Sequence, residues 1–366
     1  MFQLREYQSE AVTKGREILK AKGLLILNYE VRTGKSHIAL SIGSNYSNVL
    51  FVTKLKAISS IEKDYATAGY TYPITIINYE QLHKYKPIYD LVIYDESHSL
   101  AAFPKPSIRA KEAKRICSNG CNVILMTGTL LPESNAQIFH QLFVSNYSPF
   151  RNYPNFYKWH NDFGTIKLKY TSYGTSNDYS VVSYENVIKY IEPIMLTYTQ
   201  KEAGFVSEIN EHFITVQMKP STYSIIERLS NDLIIEAKAG VVLADTSVKL
   251  MQKVHQMYSG TVKFEDGNRI DFDDSKAVAI KERFAGKKIA IFYKFIAELD
   301  AIKKHFDVTD SIDEFNNSNK TIALQIISGR EGINLSTAEA LVYYNIDFSA
   351  ISYWQSRDRM TTISRK

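Results

Sequence analysis

Cysteine is scarce: the 366-residue chain has two, Cys117 and Cys121. Two thiols cannot close a four-ligand zinc site. Their i,i+4 spacing reads as small buried residues, and such sparse usage fits a reducing compartment. A strong excess of one charge is also missing. Forty-four basic residues face thirty-nine acidic ones, for a net +5, which tolerates a polyanionic partner without arguing for one. No apolar run is long enough to span a bilayer, and MFQLREYQ at the N-terminus lacks an apolar signal core. A cytoplasmic protein with no membrane partner is the expectation. What is present is an ordinary globular composition, 45% hydrophobic and 23% charged, in a chain long enough for two cores.

The sequence is organised around residues 24–36, LLILNYEVRTGKS. An apolar strand, Leu24–Asn28, runs into a turn ending Thr33-Gly34-Lys35-Ser36, and a helical pattern follows from His37. Strand, turn, Gly-Lys-Ser and helix is the setting of a phosphate-binding loop, in which N–H groups at a helix N-terminus cradle phosphate oxygens. Lys35 would reach the β- and γ-phosphates of ATP, and the Ser36 hydroxyl would hold Mg²⁺. Two glycines are missing. The pattern G-x-x-x-x-G-K-[ST] wants one at Tyr29. The family resemblance set out below implies another glycine where this chain has Arg32, and a side chain there is expected not to adopt a glycine-only backbone conformation.

Upstream, residues 4–20 have helical apolar spacing, with Gln8 as a surface residue. Downstream, short continuous apolar runs at 49–53, 74–78, 90–94 and 122–127, several separated by helical stretches, predict a parallel sheet covered on both faces. Ligands of such sheets bind beyond the carboxyl ends of the strands. One strand runs straight into Asp95-Glu96-Ser97-His98. Burying two adjacent carboxylates is costly unless a cation or donors meet them. Asp95 would carry Mg²⁺, and Glu96 would orient and deprotonate a water. Another strand ends in Thr127-Gly128-Thr129.

These motifs resemble those of superfamily two helicases. VRTGKS is similar to motif I, IYDESH (93–98) to motif II and MTGTL (126–130) to motif III. Gln8 in LREYQ resembles the adenine-reading glutamine of the Q motif. NYEQL (78–82), the helix expected over 131–144, and segments 194–199 and 208–218 resemble the Swi/Snf-like branch, with 208–218 as a linking strand. In the second half, the strand at 288–292 resembles motif IV, SGREGINLS (328–336) motif V and YWQSRDR (353–359) motif VI. The overall look is that of compact bacteriophage DNA helicases.

The resemblance implies an α/β fold of two RecA-like lobes, parallel sheets with helices on both faces. The first lobe would span 1–200, with an irregular insertion at about 146–182 whose portion 170–180 reads as a loop. A linker of strand, helices and hairpin would span 201–274, with helix over 219–260 and a hairpin around Asp266-Gly267. The second lobe would span 275–366. ATP and Mg²⁺ would sit between the lobes, with Gln8, Arg32, Thr33, Gly34, Lys35, Ser36, Gly332 and Arg359 around the nucleotide. An arginine of the second lobe would complete the site on closure. Arg359 fits that role, with Arg357 and Arg365 as alternatives, because the second arginine of motif VI falls on Thr362. DNA, duplex or branched, is the implied partner, met by Thr53, Lys54, Asn78, Lys105, Arg109, Lys294, Ser328 and Arg330. The basic stretch 104–115 also reads as a solvated helix face. An RNA helicase, or a nucleotide-dependent switch that does not translocate, fits many of the same motifs.

Overall fold

The computed structural model describes residues 3–171, 174–204, 210–326 and 335–357. The chain divides into two compact units, Met1–Phe205 and Val206–Lys366, each with its own core.

The first unit opens with helix α1 (Glu6–Lys22), which Gly23 ends in the left-handed conformation (φ 68°). Then come β1 (Leu24–Tyr29), α2 (Lys35–Gly43), β2 (Val49–Thr53), α3 (Ile58–Thr67), β3 (Ile74–Asn78), β4 (Leu91–Asp95), α4 (Ile108–Ile116), β5 (Asn122–Thr127), α5 (Ile138–Phe143) and α6 (Phe156–Phe163). A hairpin, β6 (Lys167–Thr171) and β7 (Gly174–Asp178), precedes α7 (Tyr184–Ile191) and β8 (Met195–Tyr198). Six of these strands form one sheet in the order β3-β2-β4-β5-β1-β8, parallel throughout. Both faces are covered, as continuous apolar strands require. Leu25 and Leu27 meet α1 and α2 on one face; Leu24 and Ile26 join the core of α4 to α7 on the other. Because the strands are parallel, Tyr29, Thr53, Asn78, Asp95 and Thr127 all end at one edge.

The second unit contains α8 (Pro220–Asp232), hairpin β9 (Ile234–Ala237) and β10 (Gly240–Leu243), α9 (Ser247–Met257), hairpin β11 (Thr261–Lys263) and β12 (Arg269–Asp271), and α10 (Ser275–Arg283). Next come β13 (Ile289–Tyr293), α11 (Ile296–His305), β14 (Val308–Thr309), α12 (Ile312–Asn317), β15 (Thr321–Gln325), β16 (Ala340–Tyr343) and α13 (Ala350–Arg357). A wholly parallel sheet runs β14-β15-β13-β16. Helices α10 and α11 cover one face and α12 the other. The expected α/β class therefore holds.

Several local expectations do not. Helices α8 and α9 do lie within 219–260, but Leu233 and Ile234 are not on a helix face: α8 stops at Leu233, which takes the left-handed conformation (φ 60°), and Ile234 and Ile235 enter a hairpin. The segment 170–180 is not a loop, since most of it is the β6–β7 hairpin. Residues 210–218 form no strand, and the helix expected from 131 begins with a 3-10 turn at Asn135. The insertion is half core: Phe150, Phe156, Trp159 and Phe163 are buried among each other's rings. Its hairpin stands exposed, with Tyr170 77% accessible.

Candidate functional site in the first unit

Gly34 caps α2 with φ 83°, a conformation that costs an L side chain energy. A Cβ there would lie 2.1 Å from Gln8 Nε2. Arg32 also has positive φ (64°), so the expectation that a side chain is kept out of this conformation is overturned. Tyr29 needs no glycine freedom, because it is still the last residue of β1. Its ring stacks on Tyr198 (5.6 Å), which stacks on Tyr7 (4.3 Å). Burial first, then Tyr198 and Tyr7, push the Tyr29 hydroxyl up to about 12.

The loop is fastened at its carbonyls. Tyr7 Oη donates to Thr33 O (2.8 Å), and Gln8 Nε2 donates to the same oxygen (3.3 Å) while Gln8 Oε1 accepts from Arg5 N. Gln8 is therefore buried, not the surface residue expected. Lys35 Nζ donates to Tyr29 O (2.7 Å) and Glu30 O (3.2 Å). Gly128 lies against these groups: a Cβ there would sit 3.3 Å from Tyr29 O, a tight approach, and 3.6 Å from Lys35 Nζ. Gln200, just past β8, donates through Nε2 to Val31 O (3.0 Å) and through its backbone N to Glu30 Oε2 (2.6 Å). Ser36 is half-buried in the first turn of α2.

Across the sheet edge, Asp95 Oδ2 accepts from Thr53 Oγ1 (2.7 Å) and Oδ1 from Glu96 N (3.0 Å). Burial and then the Glu96 charge push the Asp95 carboxyl up to about 6, against the opposing pull of Thr53 and Lys35. Glu96 lies in the left-handed region (φ 49°, ψ 53°), at a cost of roughly 1–2 kcal/mol. Strain of this kind collects at functional positions. His98 Nδ1 lies 3.3 Å from Glu96 Oε2 and 3.2 Å from Thr127 Oγ1. Thr129 N is held by Thr127 Oγ1, while Thr129 Oγ1 is buried without a hydrogen bond among the described residues. Ser97 and Gln141 secure the turn from behind: Ser97 Oγ donates to Gln141 Oε1, whose amide donates to Leu130 O.

No group of three or more His, Cys, Asp or Glu gathers as a metal cage among the described residues. Mg²⁺ does not need one, because it keeps several waters and takes few carboxylates together with substrate phosphates. Asp95 spends one hydrogen bond on each oxygen and retains lone pairs, so its carboxylate fits a single-carboxylate Mg²⁺ site.

The other sequence-derived positions fall differently. Thr53 is fully buried and serves Asp95, which corrects its reading as a nucleic-acid contact. Asn78 is buried and caps the following 3-10 turn through Gln81 N. Lys54 is half-buried beside them and Lys105 is exposed. Arg109 pairs with Glu80 at 2.6 Å, and Arg115 holds Leu82 O and Tyr85 O, so much of the basic stretch is engaged within the fold. In the second unit Lys294 pairs with Asp347 (2.9 Å) below the Phe348 ring. Ser328, Arg330, Gly332, Asp358, Arg359, Thr362 and Arg365 lie outside the described residues. The geometry adds Tyr7, His98, Thr127 and Gln200 to the residues around the site. His98 and Thr127 had a signal, since both sit in strand-end motifs; Gln200 had none.

No family model matches the chain, and no curated protein matches its sequence. Among solved structures, it is similar to the SWI2/SNF2 ATPase core of Sulfolobus solfataricus in complex with dsDNA (16% identity, TM-score 0.47, covering 94% of this chain and 82% of that one). It is also similar to that organism's SWI2/SNF2 ATPase core domain alone (15%, 0.47, 98% and 83%). A third is the Hef helicase domain of Pyrococcus furiosus (12%, 0.47, 98% and 92%). At these TM-scores the likeness carries no weight; the α/β class rests on the strand order and register described above. No described helix is long and apolar enough to cross a membrane.

Proposed function

We propose that the chain is an ATP hydrolase acting on DNA, a translocase or helicase of the Swi/Snf-like kind. One observation carries the hydrolase reading: Lys35 on a loop leading into a helix N-terminus, and the Asp95–Glu96 pair, end at the same sheet edge, with Thr53 and His98 holding the carboxylates. Backbone N–H groups of 33–36 and Lys35 would bind the phosphates. Ser36 and Asp95 would hold Mg²⁺, which supplies neutralisation of phosphate charge when bound. Glu96 would take the proton of the attacking water, with His98 bridging it to Thr127. Gln8 would read adenine, and Arg359 or a neighbour would supply the arginine. Lys54 and Lys105 support a polyanion on the first unit; the choice of DNA over RNA, and a place in phage replication or recombination, rest on the motif resemblance.

The test is ATP hydrolysis by the full chain without polymer and with duplex DNA, single-stranded DNA, four-way junctions or RNA. DNA is expected to stimulate it. Stimulation by RNA alone would overturn the DNA assignment, and indifference to every polymer would favour a nucleotide switch. Glu96→Gln is expected to bind ATP normally and to lose roughly 10²–10⁴-fold in turnover.

A further inference from the structure

Glu30 and Val31 are fastened to the segment by which the chain leaves the first unit. Glu30 N donates to Tyr198 O (3.0 Å), so the β1–β8 pairing continues into the loop. Gln200 adds two bonds, to Glu30 Oε2 and Val31 O. The chain then folds into a compact turn: Glu202 Oε2 accepts from Thr199 N and Oγ1, Ala203 N donates to Thr199 O, and Tyr198 Oη donates to Glu202 O. The unit ends at Phe205. The segment is thus built onto the loop.

The loop also contains a group with two alternative sets of partners. Lys35 Nζ donates to Tyr29 O and Glu30 O. A phosphate oxygen would compete for the same ammonium, and one of those carbonyls belongs to Glu30, which Gln200 also holds, while the other belongs to the residue before it. We propose that Gln200 is a positioning residue. Through Glu30 and Val31 it carries to residues 198–204 the rearrangement that a nucleotide triphosphate produces at Lys35. The inference rests on the nucleotide reading above, and it assigns Gln200 a task distinct from contacting the ligand.

Hydrogen exchange of the full chain with and without a non-hydrolysable ATP analogue tests it. In the wild type, the analogue is expected to slow exchange in peptides covering both 29–36 and 198–204. In Gln200→Ala, protection at 29–36 should persist while the response at 198–204 shrinks to what the bonds from Glu30 N to Tyr198 O and from Gln200 N to Glu30 Oε2 still carry. KM should stay near wild type, and DNA-stimulated kcat should fall about ten- to a hundred-fold, the scale of a small misplacement. Glu30→Ala should reproduce part of this effect, and the double variant should be no worse than the sum predicts. A purely structural fastener would behave differently: exchange at 198–204 would rise equally with and without analogue, leaving the analogue-dependent difference intact, and that result overturns the proposal. A wild-type chain that does not bind the analogue at all overturns the nucleotide reading itself, and this inference with it.

Discussion

Asp95 shows how one residue can be both costly and useful. Its carboxyl is pushed up to about 6 by burial and by Glu96, so between about pH 4 and about pH 6 the unfolded chain ionises this group before the folded chain does. Its contribution to stability therefore declines as pH rises through that window, and above it the fold carries an unfavourable carboxylate that a bound cation would relieve. Mg²⁺ requires the ionised form. Mg²⁺ affinity, measured by titration at fixed nucleotide, is expected to weaken as pH falls through about 6. Thr53→Val removes the bond that opposes the shift, and should move this acid limb to higher pH. An unmoved limb would show that Thr53 has little hold on Asp95.

The loop between β1 and α2 departs from the glycine pattern expected of a phosphate-binding loop. Tyr29 can replace glycine because the chain is still extended there and the ring has Tyr198 to stack on. Arg32 takes positive φ inside a loop held at Val31 and Thr33. Gly34 has no such freedom. Gly34→Ala would meet Gln8 Nε2 and strain the backbone, at about 1–3 kcal/mol. The expected result is a lower unfolding midpoint together with weaker ATP-analogue binding; an unchanged midpoint would contradict the tight approach. Gln8→Ala in the same background should recover part of the loss.

How far the elements could be read from the sequence depended on how they are buried. Strands β1, β2, β4 and β5 are buried on both faces, so they appear as continuous apolar runs with only their ends off by a residue. The β6–β7 hairpin packs neither face, and Lys-Leu-Lys-Tyr there leaves no apolar pattern to read. The break after α8 falls at Leu233, a left-handed residue that is not glycine, so Ile234 and Ile235 looked like further turns of helix. In the candidate site, Lys35, Asp95 and Glu96 stand out in the sequence because the motifs that contain them are local. The partnership of Thr53 with Asp95 spans 42 residues and that of Gln200 with Val31 spans 169; sheet register makes them, and no local pattern encodes it.

At the scale of the whole chain, burial is the first cause holding His140 and His160 in the first unit, and His255 in the second, below the ordinary histidine range. The neutral ring is favoured in the fold, so stability is full above the unfolded value of about 6.5 and is lost as pH falls through it. Each fully buried histidine contributes at most about 1.4 kcal/mol per pH unit. Between about pH 7.5 and about pH 6, urea midpoints of both units should drop, and that of the first should drop more. Equal slopes would mean that His160 is solvated enough to titrate normally.

The chain contains two tryptophans, and the fold assigns one to each unit. Trp159 is fully buried among Phe139, Phe150 and Phe156, whereas Trp354 on α13 is 39% exposed. Their fluorescence should therefore separate by colour and by access: a blue-shifted emission that iodide cannot quench from the first, and a redder, quenchable one from the second. Each unit carries its own built-in optical signal, and an ATP-driven or acid-driven change can be attributed to one unit or the other without introducing a label.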